Sequence, residues 1–280
     1  DHRDLHLSLR RQRQMCIRDR INTNTTAGAS NFDGSIQSTV KANQEYGFSI
    51  VAYTGNNTSG ATVGHGLNSA PSLAIIKTRD QSGQYWHVYH ASLAANEYIY
   101  LNVTNAKTSG NDFMNGTRPS SSVFTLGNGQ ACNKSGDDVI AYCWSEIAGY
   151  SKFGTYSGLS TTLGPKVVTG FKPQLVAVKR TDSAGNWTVY DSARSLSNDL
   201  KWNTSETEGT APILFHNDGF QLNYNTGSVN TSGGSYIYMA FAGTPPGEII
   251  DSLIDTPTNY DASSGNNGGN YATFNRLSAQ

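Results

Sequence analysis

Two histidines flank a Val-Tyr pair in His87-Val-Tyr-His90, and a third, His65, sits in Gly64-His-Gly66. Imidazole is the commonest protein ligand for metals, so a metal site is the first chemistry to test. Residues three apart in an extended strand point to opposite faces. His87 and His90 therefore cannot hold one ion unless the strand breaks. His65 could meet one of them across a sheet, which gives two ligands at best. The spacing assigns no metal ligand and no cofactor.

Carboxylates are the next candidates. Glycoside hydrolysis needs two of them about 5–10 Å apart across a cleft. Asp80 and Asp182 fall in equivalent Gly-containing turns, where Asp caps its own backbone. Glu97, Glu146 and Asp191 have no acidic counterparts at matching positions. Asn217-Asp218-Gly219 offers oxygen ligands for calcium, without the spacing of an EF-hand loop. No Gly-x-Ser-x-Gly elbow, phosphate-binding loop or His-Glu-x-x-His is present. No catalytic residue is assigned, and the expectation is a non-enzyme. Of the three cysteines, Cys143 lies in an apolar strand and reads as a small buried hydrophobe, while Cys132 sits in a loop. Their spacing permits a bridge and does more for neither it nor a metal cluster.

The elements that would position these groups are written twice. Ser72-Leu-Ala-Ile-Ile-Lys-Thr-Arg-Asp-Gln-Ser-Gly-Gln-Tyr-Trp-His-Val-Tyr89 returns as Gln174-Leu-Val-Ala-Val-Lys-Arg-Thr-Asp-Ser-Ala-Gly-Asn-Trp-Thr-Val-Tyr190. The Trp and Tyr pairs share one offset of 101 positions (187 − 86 and 190 − 89). Each copy reads as a β-hairpin whose first arm is apolar enough to be buried on both faces. Alternation sets Trp86 with Val88 on one face and His87 with Tyr89 on the other. Tyr53-Thr-Gly55 matches Tyr156-Ser-Gly158, and Ile140-Ala-Tyr-Cys-Trp144 matches Ile237-Tyr-Met-Ala-Phe241. In these last strands Ile140, Tyr142 and Trp144 share a face, as do Ile237, Met239 and Phe241. A period-two apolar stripe of this kind packs on another sheet, each fully buried side chain contributing about 1.5–3 kcal/mol.

Charged residues are only 15% of the chain, with 29 Gly and 15 Tyr, which suits a rigid all-β extracellular protein better than a helical cytosolic one. A net charge of −1 gives no overall field for nucleic acid or an anionic membrane. No apolar run approaches the roughly 20 residues that span a bilayer. Fold class is therefore all-β, as two tandem homologous β-sandwich or jelly-roll-like domains. Residues 48–149 form the first and 150–243 the second, with one candidate helical turn at Leu93–Glu97. Residues 21–47 read as a linker or the end of a preceding element, with a short strand at Ser35–Val40. Residues 244–280 open on Thr244-Pro-Pro-Gly247 and read as a linker into a further domain. Residues 1–20 are crowded with arginine, and residues 10–20 resemble translated sequencing-adapter sequence at the ends of metagenomic reading frames. The chain is accordingly expected to be a fragment.

Residues 47–67, with Trp86-His-Val-Tyr-His90 and Tyr236-Ile-Tyr-Met-Ala-Phe241, resemble a duplicated domain of unknown function from marine phage and metagenomic virion proteins, often of tail fibres or particles. The resemblance covers residues 31–243 and carries no catalytic residues to transfer. It implies a structural virion component whose partners are other virion proteins and host-surface polysaccharide, with homotrimers expected of fibre proteins in general. Neither nucleic acid nor membrane insertion is implied. Sugar recognition would rest on loop aromatics, whose rings cover sugar C–H faces, and Tyr85 and Tyr98 are the candidates. A carbohydrate-binding module of a secreted bacterial protein is the competing reading.

Overall fold

Alternating apolar positions and Gly/Asn/Ser punctuation produce strands almost throughout the computed structural model, which describes residues 28–224 and 227–243. The first half holds β1 (Ala29–Asn31), β2 (Ser38–Asn43), β3 (Phe48–Thr54), β4 (Thr62–Gly64) and β5 (Leu73–Thr78). After the hairpin turn come β6 (His87–His90), β7 (Glu97–Tyr100), β8 (Thr108–Ser109), β9 (Val123–Thr125) and β10 (Asp138–Trp144). The second half holds β11 (Ser151–Ser157), β12 (Lys166–Val168), β13 (Pro173–Arg180), β14 (Trp187–Asp191) and β15 (Asn198–Lys201). It ends with β16 (Gly209–Thr210), β17 (Ile213–His216), β18 (Gly219–Leu222) and β19 (Ser235–Ala242). The helical turn expected at Leu93–Glu97 is absent; one turn forms instead at Gln130–Asn133.

The main sheet of the first half runs β1-β2-β3-β10-β5-β6-β7-β8, and that of the second β11-β19-β13-β14-β15-β16. From β3 onward the two orders correspond strand for strand. Every pairing is antiparallel, with β10 in register between β3 and β5 and β19 between β11 and β13. A small sheet accompanies each: β4-β9 in the first half and β12-β18-β17 in the second. Within residues 21–47, read from sequence as a linker or the end of a preceding element with one short strand at Ser35–Val40, the described part supplies two strands of the main sheet: β1, and β2, which overlaps the expected strand and pairs with β3 from Ser38↔Tyr53 to Asn43↔Phe48.

Strand alternation divides the apolar residues among three cores. Val51, Ala74, Ile76, Ala141 and Cys143 of the first main sheet meet Val63 and Phe124 of its small sheet. Val176, Val178, Tyr238 and Ala240 of the second meet Val167, Ile213, Phe220 and Leu222. The third core lies between the halves: Leu73, Ile75, Val88 and Ile99 pack with Phe153, Ala177, Trp187, Val189, Ile237 and Met239. The stripes Tyr142-Trp144 and Ile237-Met239-Phe241 both lie here, so each main sheet is covered on both faces. This is why the hairpin arms are apolar without interruption. Sheet-on-sheet contact makes the two halves one body.

Polar bonds reinforce that seam. The ring of His90 reaches Tyr238 O at 3.0 Å, and Trp187 Nε1 donates to Tyr100 O at 2.8 Å. Lys179, fully buried, donates to Thr104 O, Asn105 O and Gly185 O at 2.7–2.9 Å, joining its own hairpin turn to a loop of the other half. Three carbonyls match the three donors of an ammonium group.

Candidate functional site

Tyr100 ends β7 and Tyr85 precedes β6, and the register His87↔Tyr100 brings them to one corner of the first main sheet. Their ring centroids lie 4.7 Å apart. Tyr85 is 42% exposed and Tyr100 half-buried, so together they present a ring surface to solvent. The backbone beneath is fixed: Trp86 N–H donates to Asn102 Oδ1 and Leu101 N–H to Trp86 O.

Tyr98 departs from its expected role. It lies on β7, not in a loop, and is only 6% exposed. Its ring is enclosed by His87, Tyr100 and Phe113 at 5.3–5.8 Å. A sugar cannot stack on it, because both faces are occupied by protein. The hydroxyl instead donates to Asp112 Oδ1 at 3.3 Å and interacts with the Tyr100 hydroxyl. Burial, with Tyr100 and Asp112 beside it, holds the Tyr98 phenol above its ordinary pKa, so it stays a neutral donor. Asp112 is exposed, in a loop pinned by Gly129 N–H on Asp112 O. The corner thus offers two rings, two phenol hydroxyls and one carboxylate, a set suited to the C–H faces and hydroxyls of a neutral sugar. Sequence reasoning missed Tyr100 and Asp112. The Glu97-Tyr-Ile-Tyr100 alternation could have found the first, since Tyr98 and Tyr100 share a face.

The equivalent corner of the second half is chemically different. Register Thr188↔Lys201 places Thr188, Asp199 and Lys201 where the first half has His87, Tyr98 and Tyr100. Lys201 Nζ contacts the buried Asp199 carboxylate. The hydroxyls of Thr188 and Tyr190 are buried there without partners.

The histidines are structural in placement. His65 accepts from Leu67 N–H at Nδ1 and reaches Ser120 O through Nε2 at 3.2 Å. His90 accepts from Ser92 N–H at Nδ1 while Nε2 donates to Tyr238 O. Burial lowers the pKa of all three, that of His90 to about 4. His87 and His90 face different cores, as strand alternation requires. Among the described residues no group of three or more His, Cys, Asp or Glu side chains could hold a metal ion.

The acids are engaged in the scaffold. Asp80 accepts from Asp138 N–H and Asp182 from Ser235 N–H, the first residues of the two central strands, and Asp182 accepts from its own backbone N–H as well. Arg180 adds a forked pair on Asp182, holding that carboxyl down at about 2. Glu97 pairs with Lys107, Glu146 with Lys152, Asp191 with Arg194, and Asp218 with Lys166. Cys132 and Cys143 are buried and unbridged, and burial pushes both thiols up to about 12. Cys16 and the readings of residues 1–20 and 244–280 lie outside the described residues.

Fold and site together define an all-β protein of several sheets, with a solvent-facing aromatic corner in its first half. The chain belongs to the family described as a domain of unknown function (DUF7483), whose match runs over residues 21–245 and so takes in both halves together with β1 and β2. No curated protein and no solved structure matches it.

Proposed function

We propose that this chain is a non-catalytic component of a phage particle or tail fibre, built from a duplicated sandwich-like unit, and that its aromatic corner binds host-surface glycan. The observation that carries the binding reading is the Tyr85–Tyr100 ring pair, Tyr85 exposed and Tyr100 half-buried, with the Asp112 carboxylate near the Tyr100 phenol. The matching strand orders support duplication, and the commitment of the acids to backbone and basic partners supports a role without hydrolysis. Rings set on strand ends bind with little loss of conformational freedom. Its partners would be other virion proteins, in a trimeric assembly at the particle surface.

A glycan array probed with the full chain and with Tyr85→Ala and Tyr100→Ala tests the binding reading. Saturable binding to a neutral glycan that both substitutions abolish supports it. A blank array from folded protein, or binding unchanged in both variants, overturns it.

A further inference from the structure

The two main sheets differ at one edge. In the first, β3 turns the backbone groups of Phe48, Ile50 and Ala52 toward β2, which pairs with them antiparallel. In the second, β11 is the counterpart of β3, and among the described residues no strand lies beside it. Its bonding phase follows from two contacts to the β19 side, Ala242 N–H to Tyr150 O and Gly158 N–H to Gly234 O. Even-numbered residues face β19, so Ser151, Phe153, Thr155 and Ser157 aim their N–H and C=O groups outward.

A local turn and one side chain occupy part of this edge. Ser151 N–H is taken by Ile147 O at 2.9 Å, in the turn that leads into the strand. Phe153 N–H is taken by Glu146 Oε1 at 3.0 Å, while Glu146 Oε2 holds Lys152 Nζ at 3.1 Å. Past that point Thr155 and Ser157 are exposed. An edge of this kind is a template for another strand unless something blocks it.

We propose that the β11 edge is a self-association surface for a second copy of this chain, held closed by Glu146. The occupant is the same strand of the second copy, antiparallel and centred on Thr155, because that register is self-complementary under a two-fold axis. The precedent for the geometry is β2 on β3 in this molecule. Glu146 prevents it by consuming the Phe153 N–H and by standing where the incoming strand would run.

Sedimentation velocity over a concentration series tests this on the full chain. Glu146→Ala should dimerise with a dissociation constant at least ~10-fold below that of the parent chain. Glu146→Gln, whose amide oxygen still accepts from Phe153 N–H, should behave as the parent. Adding Thr155→Pro to Glu146→Ala should restore the parent's assembly state, since proline removes an outward N–H that the edge alone uses. Glu146→Ala that associates no more than the parent chain overturns the proposal, as does added association that Thr155→Pro leaves intact. Amide exchange on the unmodified chain gives a second reading that needs no variant. Thr155 should exchange faster than Phe153, and equal protection of the two amides would equally overturn it.

Discussion

Asn133 and Asn230, in opposite halves, hold the same set of bonds. Asn133 Oδ1 accepts from Asn56 N–H, and its amide donates to Thr58 O and Gly127 O. Asn230 Oδ1 accepts from Leu159 N–H, and its amide donates to Thr161 O and Tyr224 O. Beside each, a tyrosine hydroxyl donates to the preceding carbonyl: Tyr53 to Cys132 O at 2.7 Å and Tyr156 to Val229 O at 2.8 Å. Gly55 and Gly158 pass so close that a Cβ on either would collide with Lys134 O or Thr231 O. Each half therefore closes its long loop on one fully buried amide. Asn133→Ala and Asn230→Ala strand several buried partners and should each cost about 2–4 kcal/mol in urea unfolding.

Lys179 should be the costliest charged residue to remove. Lys179→Met keeps the length of the stem and removes the ammonium donor from Thr104 O, Asn105 O and Gly185 O, of which Thr104 O keeps the Gly185 N–H. A loss of about 2–5 kcal/mol is expected by denaturant titration, with amide protection falling first in residues 101–107. Lys77, whose ammonium reaches only its own turn at Thr78 O and Gln81 O, should matter less.

Acid should open the seam between the halves. Burial lowers the His90 pKa from its ordinary 6.5 to about 4, and both ring nitrogens are engaged with a single proton. Between pH 6.5 and 4 the unfolded chain takes up a proton that the native chain refuses, so stability falls as pH falls through that window. The single group accounts for about 3 kcal/mol, and His65 and His87 act in the same direction. Thermal melts across pH 4–7 check this, and His90→Gln should flatten the profile.

Tyr85 and Tyr98 should separate cleanly in experiment. Tyr85→Ala removes a ring that is already 42% exposed and should change stability by less than about 1 kcal/mol while affecting glycan binding. Tyr98→Ala empties a buried aromatic cluster and should cost about 3–5 kcal/mol by urea unfolding.

Several parts of this fold were legible in advance. The apolar arms Leu73–Ile76 and Leu175–Val178 announced strands covered on both faces, and the stripes ending at Trp144 and Phe241 announced a facing sheet. Tyr53-Thr-Gly55 and Tyr156-Ser-Gly158 stood out as matching motifs, but the asparagines that complete them did not. Asn133 and Asn230 sit in loops among many other asparagines, and only closure of those loops makes them different. Tyr98 was misplaced because Asp112, which anchors its hydroxyl, approaches from a separate loop.

The sequence by itself determined most of the longer strands, their alternating faces and the repeated hairpin, because alternation and turn chemistry act over a few residues; the short edge strands β1, β8 and β16 carry too little pattern to be read that way. Tertiary structure alone decided that the two halves share a core, that Lys179 spans them, and that the Tyr85 ring stands exposed beside Tyr100. The edge of β11, closed by a glutamate where β3 has a strand, belongs to the same class. Each of these depends on which distant surface meets which, and that is set by the joint packing of sheets far apart in the chain.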